Sequence, residues 1–173
     1  MASTVQSVIS EYMTFIPSLA NSSVDQLKSI YEENRHRVYS LAFWMTDSEL
    51  QAEQLLEATF VRAFSEIETP TEEQIDNALI AVLREDHQIG IRTLECAEAT
   101  EVLNIRENTK RVHLELAVIE LPATEKLIFL MHDVEGYDHV RVARTLGIST
   151  DDSKYGLHQA RLRIRELVGK MAW

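Results

Sequence analysis

The chain is expected to be all-α, with two small helical domains joined by a linker and a helix-turn-helix in the C-terminal one. Three observations lead there. Apolar residues recur at spacings of three and four over long stretches, the signature of helices with one buried face. Glycine and proline are scarce, five and three in 173 residues, and aromatics make up only 7%. The pattern also lapses between Ile89 and Arg111 and then resumes, which marks a boundary between two cores. A hydrophobic content of 45% with 26% charged residues is ordinary for a globular protein, and the length allows one good core or two small ones. The expected division is an extension over 1–22, a first domain over 23–88, a linker over 89–111 and a second domain over 112–173.

In chain order, Val5, Val8, Ile9, Phe15, Ile16 and Leu19, interrupted by Pro17, predict a short helix or two in the extension. From Val24 the set Leu27, Ile30, Tyr31, Val38, Leu41, Ala42 and Met45 makes one buried stripe on a long helix that breaks at Thr46 and Asp47. Ser48, with Gln51 three residues on, resembles a capping box. The next helix carries Ala52, Leu55, Leu56, Thr59, Phe60, Ala63, Phe64 and Ile67 on one face. Two long helices joined by so short a turn pack as an antiparallel hairpin. A third helix runs from about Glu72 to Asp86 after a turn over 68–71. Beyond the linker, one helix spans Val112 to Leu121 and ends at Pro122. Another spans Thr124 to Val134 and stops at Glu135 and Gly136.

The final third carries the helix-turn-helix. Ala143 and Gly147, four apart, provide a close helix contact and then a tight turn, because glycine enters a left-handed turn without steric cost. Ser149, Thr150, Asp151 and Asp152 then offer capping groups to a last helix. Formal net charge is −11, yet residues 141–170 hold seven bases (Arg141, Arg144, Lys154, Arg161, Arg163, Arg165, Lys170) against Asp151, Asp152 and Glu166. Nucleic-acid contact is therefore expected in this patch, since the acidic remainder repels phosphate. The single Cys96 forms no internal disulfide, and no apolar run approaches the roughly 20 residues that cross a bilayer. No Lys or Arg precedes Lys28, so a signal-peptide n-region is not expected, nor is membrane insertion, and a cytoplasmic location is. The histidines are too scattered for a metal site. No nucleophile–base pair, paired carboxylate or phosphate loop stands out, so neither an enzyme nor a cofactor is expected.

Two strings carry a resemblance. YEENRHRVYSLAFWMTDSELQAEQLLEATFVRAF resembles the core-polymerase-binding hairpin of the extracytoplasmic-function group of bacterial sigma factors. LPATEKLIFLMHDVEGYDHVRVARTLGIS is similar to that group's promoter-reading helix-turn-helix. The likeness runs in order and at the right spacing over about 24–68 and 112–168. It implies a sigma factor-like transcription initiation protein, without chemistry of its own, that binds core RNA polymerase, directs it to promoter DNA and answers to an anti-sigma factor. Carried over by position, polymerase contacts fall on Glu53, Gln54, Leu55, Glu57, Ala58 and Arg62. Base contacts fall on Lys154, His158 and Gln159, with Tyr155, Arg161 and Arg163 nearer the phosphates.

The departures define an alternative. The group's E-D-L-x-Q-E becomes Glu53 to Ala58, with one carboxylate replaced by an amide and another by a methyl. At the strand-opening helix the best register is Ala78 to Glu85, without the stacking Trp or the base-reading Asn. Over 66–86 seven acids face Arg84 alone, a charge that repels DNA rather than melts it. In the last helix Ser153 stands where an apolar residue anchors the helix, and Gly156 and Gln159 stand where arginines are common. These changes fit a sigma-like interaction module, a decoy or anti-sigma binder with little promoter-opening activity. A third possibility is a DNA-binding regulator that uses the C-terminal unit alone.

Overall fold

A computed structural model describes residues 21–90 and 110–171. The expected helices in 1–22 and most of the expected linker, including any short helix in it, lie outside the described residues. Among those described, all regular structure is helical, and no helix is long and apolar enough to cross a membrane. The chain divides into two compact units, Met1–Asp86 and His87–Trp173.

The first unit contains α1 (Asn21–Thr46), α2 (Glu49–Glu66) and α3 (Glu72–Asp86). Helix α1 ends where Asp47 turns to a left-handed φ of 51°, a conformation that a short polar side chain tolerates better than a bulky one. Ser48 then caps α2 by accepting from the Gln51 backbone N–H. Helix α2 packs on both α1 and α3. The core joins Leu27, Tyr31, Val38 and Leu41 to Leu56, Phe60 and Phe64, and to Ile75, Leu79 and Leu83. Phe60 is fully buried, its ring 4.7 Å from Tyr31 and 5.6 Å from Phe64. A reciprocal box starts α3: the Thr71 N–H donates to Gln74 Oε1, and the Gln74 N–H donates to Thr71 Oγ1.

The acidic stretch 66–86 keeps most of its carboxylates at the surface, and one of them is buried. Asp76 is only 2% exposed and is held by the Arg37 guanidinium, which also lies 3.5 Å from Glu72. Arg37 in turn donates to Asn34 Oδ1 at 2.6 Å. Glu66 and Glu85 flank Arg62 at 3.3 and 4.0 Å. Two cations from outside the stretch, Arg37 and Arg62, thus become neighbours of its acids in the bundle and offset part of its formal charge.

The second unit contains α4 (Arg111–Ile119), α5 (Ala123–Phe129), a π-helical turn (Leu130–Val134), α6 (His139–Leu146) and α7 (Thr150–Met171). Helix α7 packs against α4, α5 and α6, burying Ser153, Leu157, Ala160, Ile164 and Val168. Helix α5 is the central element: Thr124, Glu125, Lys126, Leu127 and Ile128 are all buried, polar members included. Thr124 Oγ1 accepts from the Gly90 N–H at 3.2 Å, which ties the start of the unit to its centre.

Two boundaries differ from expectation. Helix α4 stops at Ile119, with Glu120 as its cap, before reaching Leu121. The helix expected over Thr124 to Val134 is α-helical only to Phe129. Its last turn is π, the Glu135 N–H donating to the Leu130 carbonyl five residues back. Gly136, at φ 75°, ends it, and the Tyr137 N–H closes onto the Met131 carbonyl.

Candidate nucleic-acid interface

The turn between α6 and α7 forms as its residue types require. Asp138 caps α6 by accepting from the Arg141 N–H, and Gly147 at φ 67° closes the helix in the left-handed region. The Ile148 N–H then donates to the Ala143 carbonyl, a Schellman-type closure. Ser149 and Asp152 cap α7 reciprocally: Ser149 Oγ accepts from the Asp152 N–H, and Asp152 Oδ2 accepts from the Ser149 N–H. Asp152 is therefore a capping acid. Asp151 holds Lys154 at 3.2 Å.

Helical spacing sorts the expected contact residues. Lys154, His158, Arg161 and Arg165 fall at i, i+4, i+7 and i+11, one stripe of α7, and all four are exposed. Tyr155 stands beside it, 41% exposed. Gln159 is only 7% exposed, about 100° round the helix from His158. Among the residues expected to read bases, Gln159 is thus the one that lies buried rather than on the exposed stripe. Arg163 is half-buried on the same flank. Arg165 was legible as the next member of the stripe, yet the resemblance did not supply it.

Behind the stripe lies a polar network with no local sequence signal. Asp133, on the π turn, accepts from Arg161 Nε at 3.0 Å and Nη2 at 2.7 Å. Its Oδ1 is also 2.8 Å from His132 Nδ1. The His132 ring stacks on His139 at 4.3 Å, and His139 Nδ1 shares a 3.0 Å hydrogen bond with the fully buried Ser153. Ser153 thus ties α7 to α6 through a hydrogen bond, at the position where the resembling group has an apolar anchor. Arg141 lies over the Tyr137 ring, 3.5 Å from its centroid, a cation–π contact.

Burial, reinforced by the positive charges of His132, Lys154 and Arg161, holds the His139 imidazole below its ordinary pKa, against the opposite pull of Asp138. Burial works to raise the Asp133 carboxyl, but hydrogen bonds from Arg161 and His132 prevail and hold it low. The signs agree. A depressed imidazole and a depressed carboxyl both contribute stability above their ordinary values and lose it as pH falls. The second unit is expected to lose stability below about pH 6.5 through His139, and again below about pH 3.9 through Asp133. His139→Gln is expected to flatten the first part of that curve, measured as melting temperature against pH.

Residues 111–164 match the model of the sigma-70 region 4 family. The C-terminal unit carries a sigma-70 region 4 domain. Region 4 is a DNA-binding helix-turn-helix module of transcription initiation and not an enzyme domain, and the match runs from α4 into α7. Among curated proteins no match to the chain is found. The region 4 match ends before the last turns of α7 and does not reach the first unit.

In that first unit, Glu53, Gln54, Ala58 and Arg62 are exposed on α2, and Leu55 and Glu57 are half-buried beside them. Leu50, 67% exposed, and Val61, 38% exposed, add apolar surface to the same helix. Arg62 faces Glu66 and Glu85 within the unit. Among the described residues no group of three or more His, Cys, Asp or Glu could hold a metal ion.

Proposed function

We propose that the protein is a sigma factor of the extracytoplasmic-function type, which binds core RNA polymerase through the outward face of α2 and carries it to promoters with region 4. The observation that carries this reading is the region 4 match, joined to a separate three-helix unit whose α2 displays Glu53, Gln54 and Arg62. Lys154, Tyr155, His158 and Arg161 meet DNA in this reading, with Arg163 at the edge of the contact. An anti-sigma factor regulates the protein, which works in the cytoplasm with the polymerase. A pull-down with core polymerase and run-off transcription from a genomic promoter library test it. Capture together with promoter-dependent transcripts is expected, and failure to bind either polymerase or DNA refutes it.

One observation favours a second reading. In α3, the segment aligned with the strand-opening helix has Ala78, Leu79, Ile80, Val82 and Leu83 all buried. Its exposed C-terminal end carries Arg84, Glu85 and Asp86, with no aromatic ring to stack on a flipped base. That arrangement supports recruitment or sequestration without promoter opening. Permanganate footprinting of the polymerase-bound complex separates the two: reactive thymines at the start site support the sigma factor, and capture without them supports the decoy.

A further inference from the structure

We propose that Asp133 is a positioning residue that aims the Arg161 guanidinium at the major-groove edge of a guanine. The inference rests on DNA binding by region 4 and deepens it by naming a specificity determinant. A guanidinium has two forked edges, one formed by Nε and Nη2 and one by the two terminal nitrogens. Asp133 occupies the first, with bonds of 3.0 and 2.7 Å, which leaves the terminal edge for a ligand, its Nη1 without a hydrogen bond among the described residues. The Arg161 side chain is 49% exposed on the stripe that also carries Lys154 and His158.

Asp133 is itself well fixed. Its side chain is 23% exposed and its carboxylate is held by His132. His132 stacks on His139, which is bonded to Ser153 inside α7. The guanidinium is thus clamped from the body of the domain and loses little side-chain freedom when it meets DNA, which favours a directional contact.

Net charge decides what the open edge meets. An arginine alone is drawn to phosphate by its charge, but the Asp133–Arg161 pair carries none, and the carboxylate repels the backbone. What remains is geometry: two parallel N–H donors, which match O6 and N7 of guanine, the commonest specific contact in the major groove. The resemblance had put Arg161 nearer the phosphates, and the ion pair shifts it to base reading.

The experiment is selection of the full chain, alone and with core polymerase, on a pool of randomised duplexes, with sequencing of the bound fraction. Wild type is expected to prefer guanine at one position by about tenfold. Asp133→Asn, Arg161→Ala and Arg161→Lys are each expected to reduce that preference to within about twofold at this position only, while Asp133→Glu restores part of it. Asn is isosteric and Lys keeps the charge, so loss of preference at this one position, with binding to the other positions retained at a temperature where each variant is folded, is the result a purely structural brace does not give. Three results overturn the inference. Arg161→Ala could weaken all sequences evenly and lower the salt slope by about 0.9, the mark of a phosphate contact. Both partners' variants could lower the melting temperature with the preference intact, the mark of a brace. Asp133→Asn could leave the preference unchanged while Arg161→Ala removes it, so that Asp133 positions nothing. If wild type binds no duplex in either form, the DNA-binding reading itself fails and takes this one with it.

Discussion

Arg37→Ala is expected to destabilise the first unit by about 3–5 kcal/mol, because it leaves the Asp76 carboxylate buried without its guanidinium. Asp76 is 2% exposed, and the Arg37 side chain beside it 13%, so water cannot readily take over the charge. The pair is not expected to be worth that much as a net gain over an apolar core. Its desolvation cost is high, and the large effect arises when one partner goes and the other stays. Two comparisons separate these ideas. Arg37→Met combined with Asp76→Leu is expected to recover most of the loss. Arg62→Ala, at an arginine 43% exposed against Glu66 and Glu85, is expected to cost less than about 1 kcal/mol. Chemical denaturation, with amide exchange followed on α1–α3, measures all three. A single variant Arg37→Ala as stable as wild type would mean that Asp76 is protonated or reached by water in the folded unit.

That ion pair illustrates where the sequence is readable and where it is not. The break at Thr46 and Asp47, the Ser48 cap, the start of α3 at Glu72 and the left-handed Gly147 all follow from local chemistry, and each sits in the structure where its residue types call for it. Local signals are legible because a cap or turn involves residues only three or four apart. The Thr71–Gln74 box was within reach by the same logic, since a turn over 68–71 and a helix from about Glu72 place Thr71 at the cap. Asp76, by contrast, is an acid among acids until α1 brings Arg37 against it from 39 positions away. Asp133 meets Arg161 across 28 positions, and only after a π turn has added a residue to the helical repeat.

The basic patch changes meaning for the same reason. Counted along the chain, 141–170 is a run of cations suited to phosphate. In the fold, Arg161 is held by Asp133, Lys154 by Asp151 and Lys170 by Glu166, and Arg141 lies on Tyr137. Among these partners Asp133 is the one acid that the fold adds from outside that span, so the charge of the face falls by one while its geometry is better defined. Such a surface favours selective contact over general affinity.

Phe60→Ala tests how that first unit presents its surface. Phe60 is fully buried between Tyr31 and Phe64. Truncation removes the ring from both partners and leaves a cavity that three packed helices close only partly, at a cost of about 3–5 kcal/mol. Glu53→Ala and Gln54→Ala, about two turns earlier on the exposed side of α2, are expected to change stability by no more than about 0.5 kcal/mol. Under the proposed function their effects on polymerase capture are large even so, because the contact is made there. Thermal melts read beside pull-downs with core polymerase distinguish the cases: Phe60→Ala loses capture together with its fold, whereas the surface pair loses capture with the melt unchanged. Full capture by the Glu53→Ala, Gln54→Ala double variant would move the polymerase contact off this face of α2. The exposed Leu50 and Val61 would then be the first positions to substitute, since they are the apolar surface the helix leaves uncovered.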